Sequence, residues 1–371
     1  MHHRGTENTE DNETMKITGL EIREVSFRLK YPSAVAYATQ SQAVNIFLKM
    51  KTSEGLDGWG CSAPDESVTG ETPMSVSRFL KETVRPLILG RDPLEREALM
   101  KEIRDSDGSQ NPAAAAAVSI SLFDLWGKIM EMPVYSLLGG SACAFPASYT
   151  ISLLPLETAL EQTRQALARG FRILKVKLGE GPEPDARRLG EISRLAGPQI
   201  FFRLDANQAY SALETLEFLR MIDMENIQFL EQPTPAKELQ ALKYVTDRSP
   251  IPIMADECVL DADDAQRIVS EKIAHLVNIK LMKCGGLDEV LRIDEICAKG
   301  GVGTMLGCMD ESALSISAAM HLACAMKSLL YIDLDGHFDI INDIASSAPI
   351  FKNGNLEIPA RPGLGVDIIL S

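Results

Sequence analysis

The chain has 371 residues, 45% of them hydrophobic and 24% charged, which excludes extensive disorder and is long enough for two domains. A formal net charge of −15 argues against nucleic acid as a partner. No apolar run reaches transmembrane length and the start, MHHRGTENTEDNET, is too polar for a signal peptide, so a cytoplasmic protein without a membrane partner is expected.

In chain order, residues 1–14 read as a disordered extension. Residues 17–29 and 43–51, a turn at Glu54 and Gly55, and the run GLDGWG form the pattern of an antiparallel meander. Two loops are expected on it. Residues 30–42 hold Tyr31, Tyr37 and the apolar run from Ala34 to Ala36, and residues 62–71 hold Asp65, Glu66 and a Thr-Gly-Glu sequence. Helices are predicted near 72–87 and 94–104. Asn111 should then cap, with Pro112 at the first helical position, an alanine-rich helix whose apolar face is Val118, Leu122, Trp126 and Ile129. Gly139 and Gly140 stop the next short helix, so residues 15–140 make an α+β capping domain.

From Ser148 onward, short apolar runs such as 199–204, 227–230, 251–255 and 276–279 have the length and composition of buried strands. Helix signals lie between them. Ser211 with Glu214 is a capping box ahead of Leu213, Leu216, Leu219 and Ile222, and Leu239, Leu242 and Val245 repeat the helical spacing. About eight such units close most simply into a parallel barrel over 141–345, with residues 346–371 returning to the capping domain as a strand or wrap. Seven spread cysteines without a CxxC pair suit free thiols, and although Cys258 and Cys308 lie near strand ends, the role of small buried hydrophobe is favoured for both.

Charged residues end successive strands, where a barrel places its active site. Asp205, Glu231 and Asp256 are three carboxylates on neighbouring strands, a donor set for a hard divalent cation, Mg²⁺. Lys175 and Lys177 are two apart and share one side of their strand, so their mutual repulsion and a nearby cation should depress a lysine pKa. Lys177 is then a candidate general base, and Lys280, four strands away, faces it across the mouth. Bases on both sides of a carbon allow proton exchange next to a carboxylate: one lysine removes the α-proton, Mg²⁺ and Lys175 stabilise the enediolate, and the other lysine returns a proton to the opposite face.

These residues, with NIKLMKCGG at Lys280, DLDG from Asp333 to Gly336 and LFDLWGKIMEMPVYSLLGG before the barrel, resemble the enolase superfamily, muconate-lactonizing subgroup, and within it the dipeptide epimerases. The resemblance implies an α/β fold, a (β/α)7β TIM-like barrel with an α+β capping domain formed from the N-terminal segment and the C-terminal tail, the two loops closing over the substrate. It also implies a Mg²⁺ cofactor, a dipeptide substrate, and a homo-oligomer of unstated size. Alternation puts Asp333 and Asp335 on one face, where they could accept hydrogen bonds from an ammonium group, unless Asp-Leu-Asp-Gly is simply a turn. In the dipeptide epimerases such a pair binds the substrate's α-ammonium group. An o-succinylbenzoate synthase or a muconate-type cycloisomerase on the same scaffold is the alternative, since their substrates have no ammonium. His275, His321 and His337 read as structural, against the mandelate racemase pattern, and Cys61 stands where many relatives carry glutamate.

Epimerases acting on Ala-Glu are expected to carry an arginine in the first capping loop, and residues 31–42 hold neither arginine nor lysine. Asp310 and Glu311, with Asp65 and Glu66, are acidic residues that could face the pocket, which favours cationic dipeptides. Tyr31, Val35 and Tyr37 suggest hydrophobic ones instead. Asp310 and Glu311 could otherwise cap the helix that follows them.

Overall fold

The computed structural model describes residues 15–369, so the extension expected over 1–14 lies outside the described residues. Strands β1 (Ile17–Val35) and β2 (Ala38–Thr52) form a long antiparallel hairpin, and β3 (Asp57–Ser62) pairs with the far edge of β2. Residues 30–42 therefore do not form a loop. Both strands run on through them, with Ser33 opposite Gln40 and Val35 opposite Ala38, after an irregularity between Arg28 and Ser33. The two arms satisfy each other's backbone groups, and the Ala34 carbonyl accepts from the Leu153 N–H at 2.9 Å, which seats the hairpin tip on the barrel. The turn at Ala36 and Tyr37 lacks the Gly, Asn or Asp that would have marked it.

Helix α1 (Pro73–Phe79) runs through one π-helical turn (Leu80–Val84) into α2 (Arg85–Ile88), followed by α3 (Arg96–Asp105), α4 (Pro112–Ile129) and α5 (Val134–Leu137). Helix α4 is buried on nearly every side because its alanines admit β3 at close range: a Cβ on Gly60 would stand 1.9 Å from the Ala117 carbonyl oxygen. Asn111 precedes this helix but its side chain does not cap it. The amide donates instead to the Asp107 carbonyl at 2.9 Å, and the Glu71 carboxylate accepts from the N–H groups of Ala113 and Ala114.

After the short β4 (Ala144–Pro146), eight parallel strands pair in sequence order to form a nearly closed barrel. They are β5 (Ser148–Ile151), β6 (Ile173–Lys177), β7 (Phe201–Asp205), β8 (Ile227–Glu231), β9 (Ile253–Ala255), β10 (Leu276–Lys280), β11 (Gly303–Gly307) and β12 (Leu329–Asp333). The helices between them are α6 (Leu156–Arg169), α7 (Pro182–Ala196), α8 (Ala212–Met221), α9 (Leu239–Thr246), α10 (Ala262–Glu271), the single turn α11 (Leu281–Cys284), α12 (Leu287–Gly300) and α13 (Ala313–Ala323). The capping box of Ser211 and Glu214 forms as the sequence indicates, but Leu213 is 72% exposed; the buried stripe of α8 is Thr215, Phe218 and Leu219, a set of i, i+3 and i+4 positions that excludes it. No ladder joins β12 to β5. There the Ser148 hydroxyl bonds to Asp333 at 2.7 Å, and the buried Arg203 donates to Ser148 and to the Ile332 carbonyl.

Past the barrel, β13 (Ile340–Ile341) pairs with Arg28 and Leu29 as the outer strand of the capping sheet. Strands β14 (Ala345–Ser346) and β17 (Asp367–Ile368) pair with each other, and β15 (Ile350–Lys352) and β16 (Asn355–Glu357) form a small sheet with β4. The Leu364 N–H donates to Asp124 of α4, and the Gly363 carbonyl accepts from Val134 of α5, which fastens the tail to the capping helices. Among the described residues no helix is long and apolar enough to cross a membrane.

Candidate active site

Lys177, Asp205, Glu231, Lys280 and Asp333 are each the last residue of their strand, and Asp256 follows the last residue of β9. Parallel register sets Lys177 beside Asp205 and Asp205 beside Glu231. The Gln232 side chain holds Asp256 in line by accepting from its N–H at 2.8 Å. Side chains from the strand ends and the capping hairpin enclose a cavity of about 140 Å³. It is lined by Lys175, Lys177, Lys280, Asp333, Asp335 and Asp310, and by Tyr37 and Asp65 from the two capping segments.

The charges are interlocked. Lys175 Nζ lies 3.0 Å from Asp205, 2.9 Å from Glu231 and 2.8 Å from Asp333. Lys177 bonds to Asp205 at 2.7 Å and to the Asn207 side-chain oxygen at 3.0 Å. On the other side Lys280 bonds to Asp256 at 2.8 Å, and Lys283 reaches its second oxygen at 2.5 Å. Burial opposes the charge on Lys175, but Asp205, Asp333 and Glu231 outweigh it and raise its pKa; Lys280 is raised in the same way, chiefly by Asp256. At Lys175 the direction is upward because the attraction of carboxylates at hydrogen-bond distance exceeds the opposing effect of burial. Burial and the nearby Asp205 push Glu231 up to about 8, whereas Lys280 and Lys283 overcome burial and hold Asp256 well below the usual carboxylate range. Asp333 is likewise held low against burial, by Lys175 and Arg203, while burial and the Asp333 charge raise its neighbour Asp335 to about 7.

Asp335 accepts from the Thr150 N–H at 2.6 Å, so the last strand end is tied to the first. Glu311 is not part of the cavity lining: its buried carboxylate folds back onto the Met309 N–H at 2.8 Å, and burial raises it to about 7. Neither Asp310 nor Glu311 caps α13. Ser312 is the cap residue, and Asp343 accepts from the Ala313 N–H at 2.7 Å. Glu66 is exposed and outside the lining, Cys308 lies within it, and Cys258 and Cys61 do not. Among the described residues no histidine lines the cavity; His321 is buried in α13, where its Nδ1 accepts from the Tyr135 N–H at 3.0 Å.

The sequence reading missed several participants. Asn207 joins Lys177 to Glu257, and Asn278 donates to Glu231 at 2.7 Å. Lys283, three residues after Lys280, is turned back onto Asp256 by the single turn α11. Spacing could have found two of them, since Asn278 shares a strand face with Lys280 and Lys283 lies one helical turn beyond it.

Among the described residues no three His, Cys, Asp or Glu side chains converge as a ready cage for an ion. Lys175 stands between Asp205 and Glu231 instead. The donor chemistry still suits a hard cation: three fully buried carboxylates lie on adjacent strand ends, and the Lys175 ammonium, 2.9 Å from Glu231 Oε2, sets a positive charge among them.

Two family profiles match the chain, the mandelate racemase / muconate lactonizing enzyme N-terminal domain over residues 17–139 and the enolase C-terminal domain-like profile over 158–370. An L-Lys-D/L-Arg epimerase of Methylococcus capsulatus is 36% identical over 353 residues, covering 95% of this chain and 99% of its own. An L-Ala-D/L-Glu epimerase of Clostridium acetobutylicum is 35% identical over 355 residues, with the same coverage of 95% and 99%. The crystal structure of a dipeptide epimerase from Enterococcus faecalis complexed with Mg and L-Leu-L-Tyr superposes with a TM-score of 0.90 at 33% identity, over 95% of this chain and 99% of that one.

Proposed function

We infer the reaction from a membership that the two profile matches show: the chain belongs to the mandelate racemase and muconate lactonizing enzyme group of the enolase superfamily. It is an isomerase, of the racemases and epimerases that act on amino acid derivatives. The finer reading is that it inverts the α-carbon of the C-terminal residue of a dipeptide by two-base proton transfer.

The observation that carries this reading is the placement of Lys177 and Lys280 on strands four apart, both lining one cavity, with Asp333 and Asp335 at its third side. A Cα–H held between the two ammonium nitrogens would be deprotonated by one lysine in its neutral form and reprotonated by the other, giving inversion. Lys175, fixed by three carboxylates, supplies a positive charge that needs no reorganisation as the enediolate forms. Asp335, already bonded to Thr150, and Asp333 offer carboxylate oxygens to a substrate α-ammonium group. Asp205, Glu231 and Asp256 would hold Mg²⁺, which when bound would supply positive charge to the substrate carboxylate during proton removal.

The cavity lining includes Asp65, Glu257, Asp310 and Asp339 in addition to Asp333 and Asp335, and among the described residues no arginine. An acidic second residue would find no counter-charge there beyond the catalytic lysines, which supports non-acidic dipeptides, cationic before hydrophobic. Incubating a dipeptide library in D₂O and following mass by spectrometry tests the whole reading. Exchange and inversion at the C-terminal α-carbon of cationic dipeptides is the expected result; Ala-Glu as the best substrate overturns the specificity, and no exchange with any dipeptide overturns the reaction.

A further inference from the structure

Residues 63–70 carry Asp65 and Val68 to the cavity, yet few bonds hold them there. Within the segment, the Val68 and Thr69 N–H groups and the Thr69 hydroxyl all bond to the Asp65 carbonyl, making a compact turn. Among the described residues, hydrogen bonds from 63–71 to the rest of the protein occur only at its ends. The Ala63 N–H meets the Met282 sulfur at 3.3 Å, and Glu71 closes the far end.

Glu71 is 2% exposed, and its two oxygens accept from the Ala113 N–H at 2.7 Å and the Ala114 N–H at 3.0 Å. These are free donors of the first turn of α4, which Asn111 leaves unmet. A helix of 18 residues, buried in the core of the capping domain, thus presents a rigid docking point to a segment 42 positions earlier in the chain. Thr69 turns its hydroxyl to the Glu71 N–H at 3.3 Å, so the turn and its anchor are coupled.

We propose that Glu71 is a positioning residue, which by capping α4 fastens residues 63–70 over the substrate cavity. The proposal rests on the reading of that cavity as the dipeptide site. Binding of substrate then includes no separate ordering of this segment, and loss of the anchor lowers the fraction of molecules in which Asp65 and Val68 are in place. If that fraction falls to about a tenth, KM rises about tenfold while kcat, set by lysines on rigid strand ends, stays nearly constant.

The variant is Glu71→Gln, made both alone and with Asn111→Asp, which returns a carboxylate to the helix N-terminus and keeps the chain folded if the cap is the larger loss. Two readouts are taken: kcat and KM for the best dipeptide, and backbone hydrogen exchange of residues 63–70 beside that of 113–116. Faster exchange in 63–70 and a raised KM at unchanged kcat, both persisting in the double variant, are expected. Faster exchange confined to the first turn of α4, or a KM that returns to normal in the double variant, overturns the proposal by showing that Glu71 only stabilises the helix. Hydrogen exchange needs no substrate, so absence of epimerase activity would refute the reaction and leave the anchoring decided on its own.

Discussion

A Cβ on Gly179 would lie 2.7 Å from the Cβ of Ala36, so the loop after β6 and the tip of the capping hairpin meet with no room for a methyl group. Gly179 also has φ of +151°, in the region that favours glycine. Gly179→Ala should therefore lift the tip and with it Tyr37, which lines the cavity. A rise in KM of about five- to tenfold with a smaller change in kcat is expected, on the order of 1 kcal/mol of lost binding. Steady-state kinetics on a cationic dipeptide check it, and unchanged KM would show that the tip contact does not hold the lid.

Two-base chemistry requires both lysines. Lys177→Ala and Lys280→Ala should each reduce epimerisation by about a hundred- to ten-thousandfold. Each should keep α-proton exchange with solvent for one enantiomer only, and opposite enantiomers for the two variants. Exchange of both enantiomers in either variant would exclude that lysine as a base.

The three carboxylates should share one divalent ion. Chelation with EDTA is expected to abolish turnover and Mg²⁺ to restore it, while Asp256→Asn should weaken Mg²⁺ binding by roughly a hundredfold, because it removes one of three anionic donors. Calorimetric titration reads this without any reaction. Equal affinity in the variant would remove Asp256 from the ligand set.

Substrate choice should follow the charge of Asp310. Asp310→Asn is expected to lower kcat/KM for a Lys- or Arg-containing dipeptide by about tenfold and to leave an aliphatic dipeptide nearly unchanged, the difference expected from one partly buried charge pair. Parallel loss on both substrates would show that the residue acts through the fold.

Acid should destabilise the protein through His321. Burial lowers its pKa from an ordinary 6.5 to about 4, so the folded state binds its proton less readily than the unfolded chain. The stability it confers is present above pH 6.5 and is lost as pH falls towards 4. The loss is on the order of 2–3 kcal/mol for this group. In His321→Gln, where an amide oxygen can still accept from Tyr135, the melting temperature should depend less on pH over this range; an unchanged slope would mean that other groups account for it.

The sequence by itself determined the barrel and the residues at its mouth. Strand repeats are local patterns, and in a parallel barrel the last residue of each strand necessarily points to the same end, so Lys177, Asp205, Glu231, Lys280 and Asp333 could be grouped without knowing any distance. The tertiary structure decided how those charges are partnered. Lys175 is tied to three carboxylates, and Lys283 and Asn278 hold Asp256 and Glu231, because side chains from strands far apart in sequence converge in a space that water does not screen. It also decided the capping region. Residues 30–42 became a hairpin through pairing with each other and with Leu153, Glu311 turned onto Met309, and Glu71 took the helix cap that Asn111 was expected to make. Each of these depends on which donor or acceptor lies within 3 Å in the folded chain, a relation that spacing along the sequence does not encode.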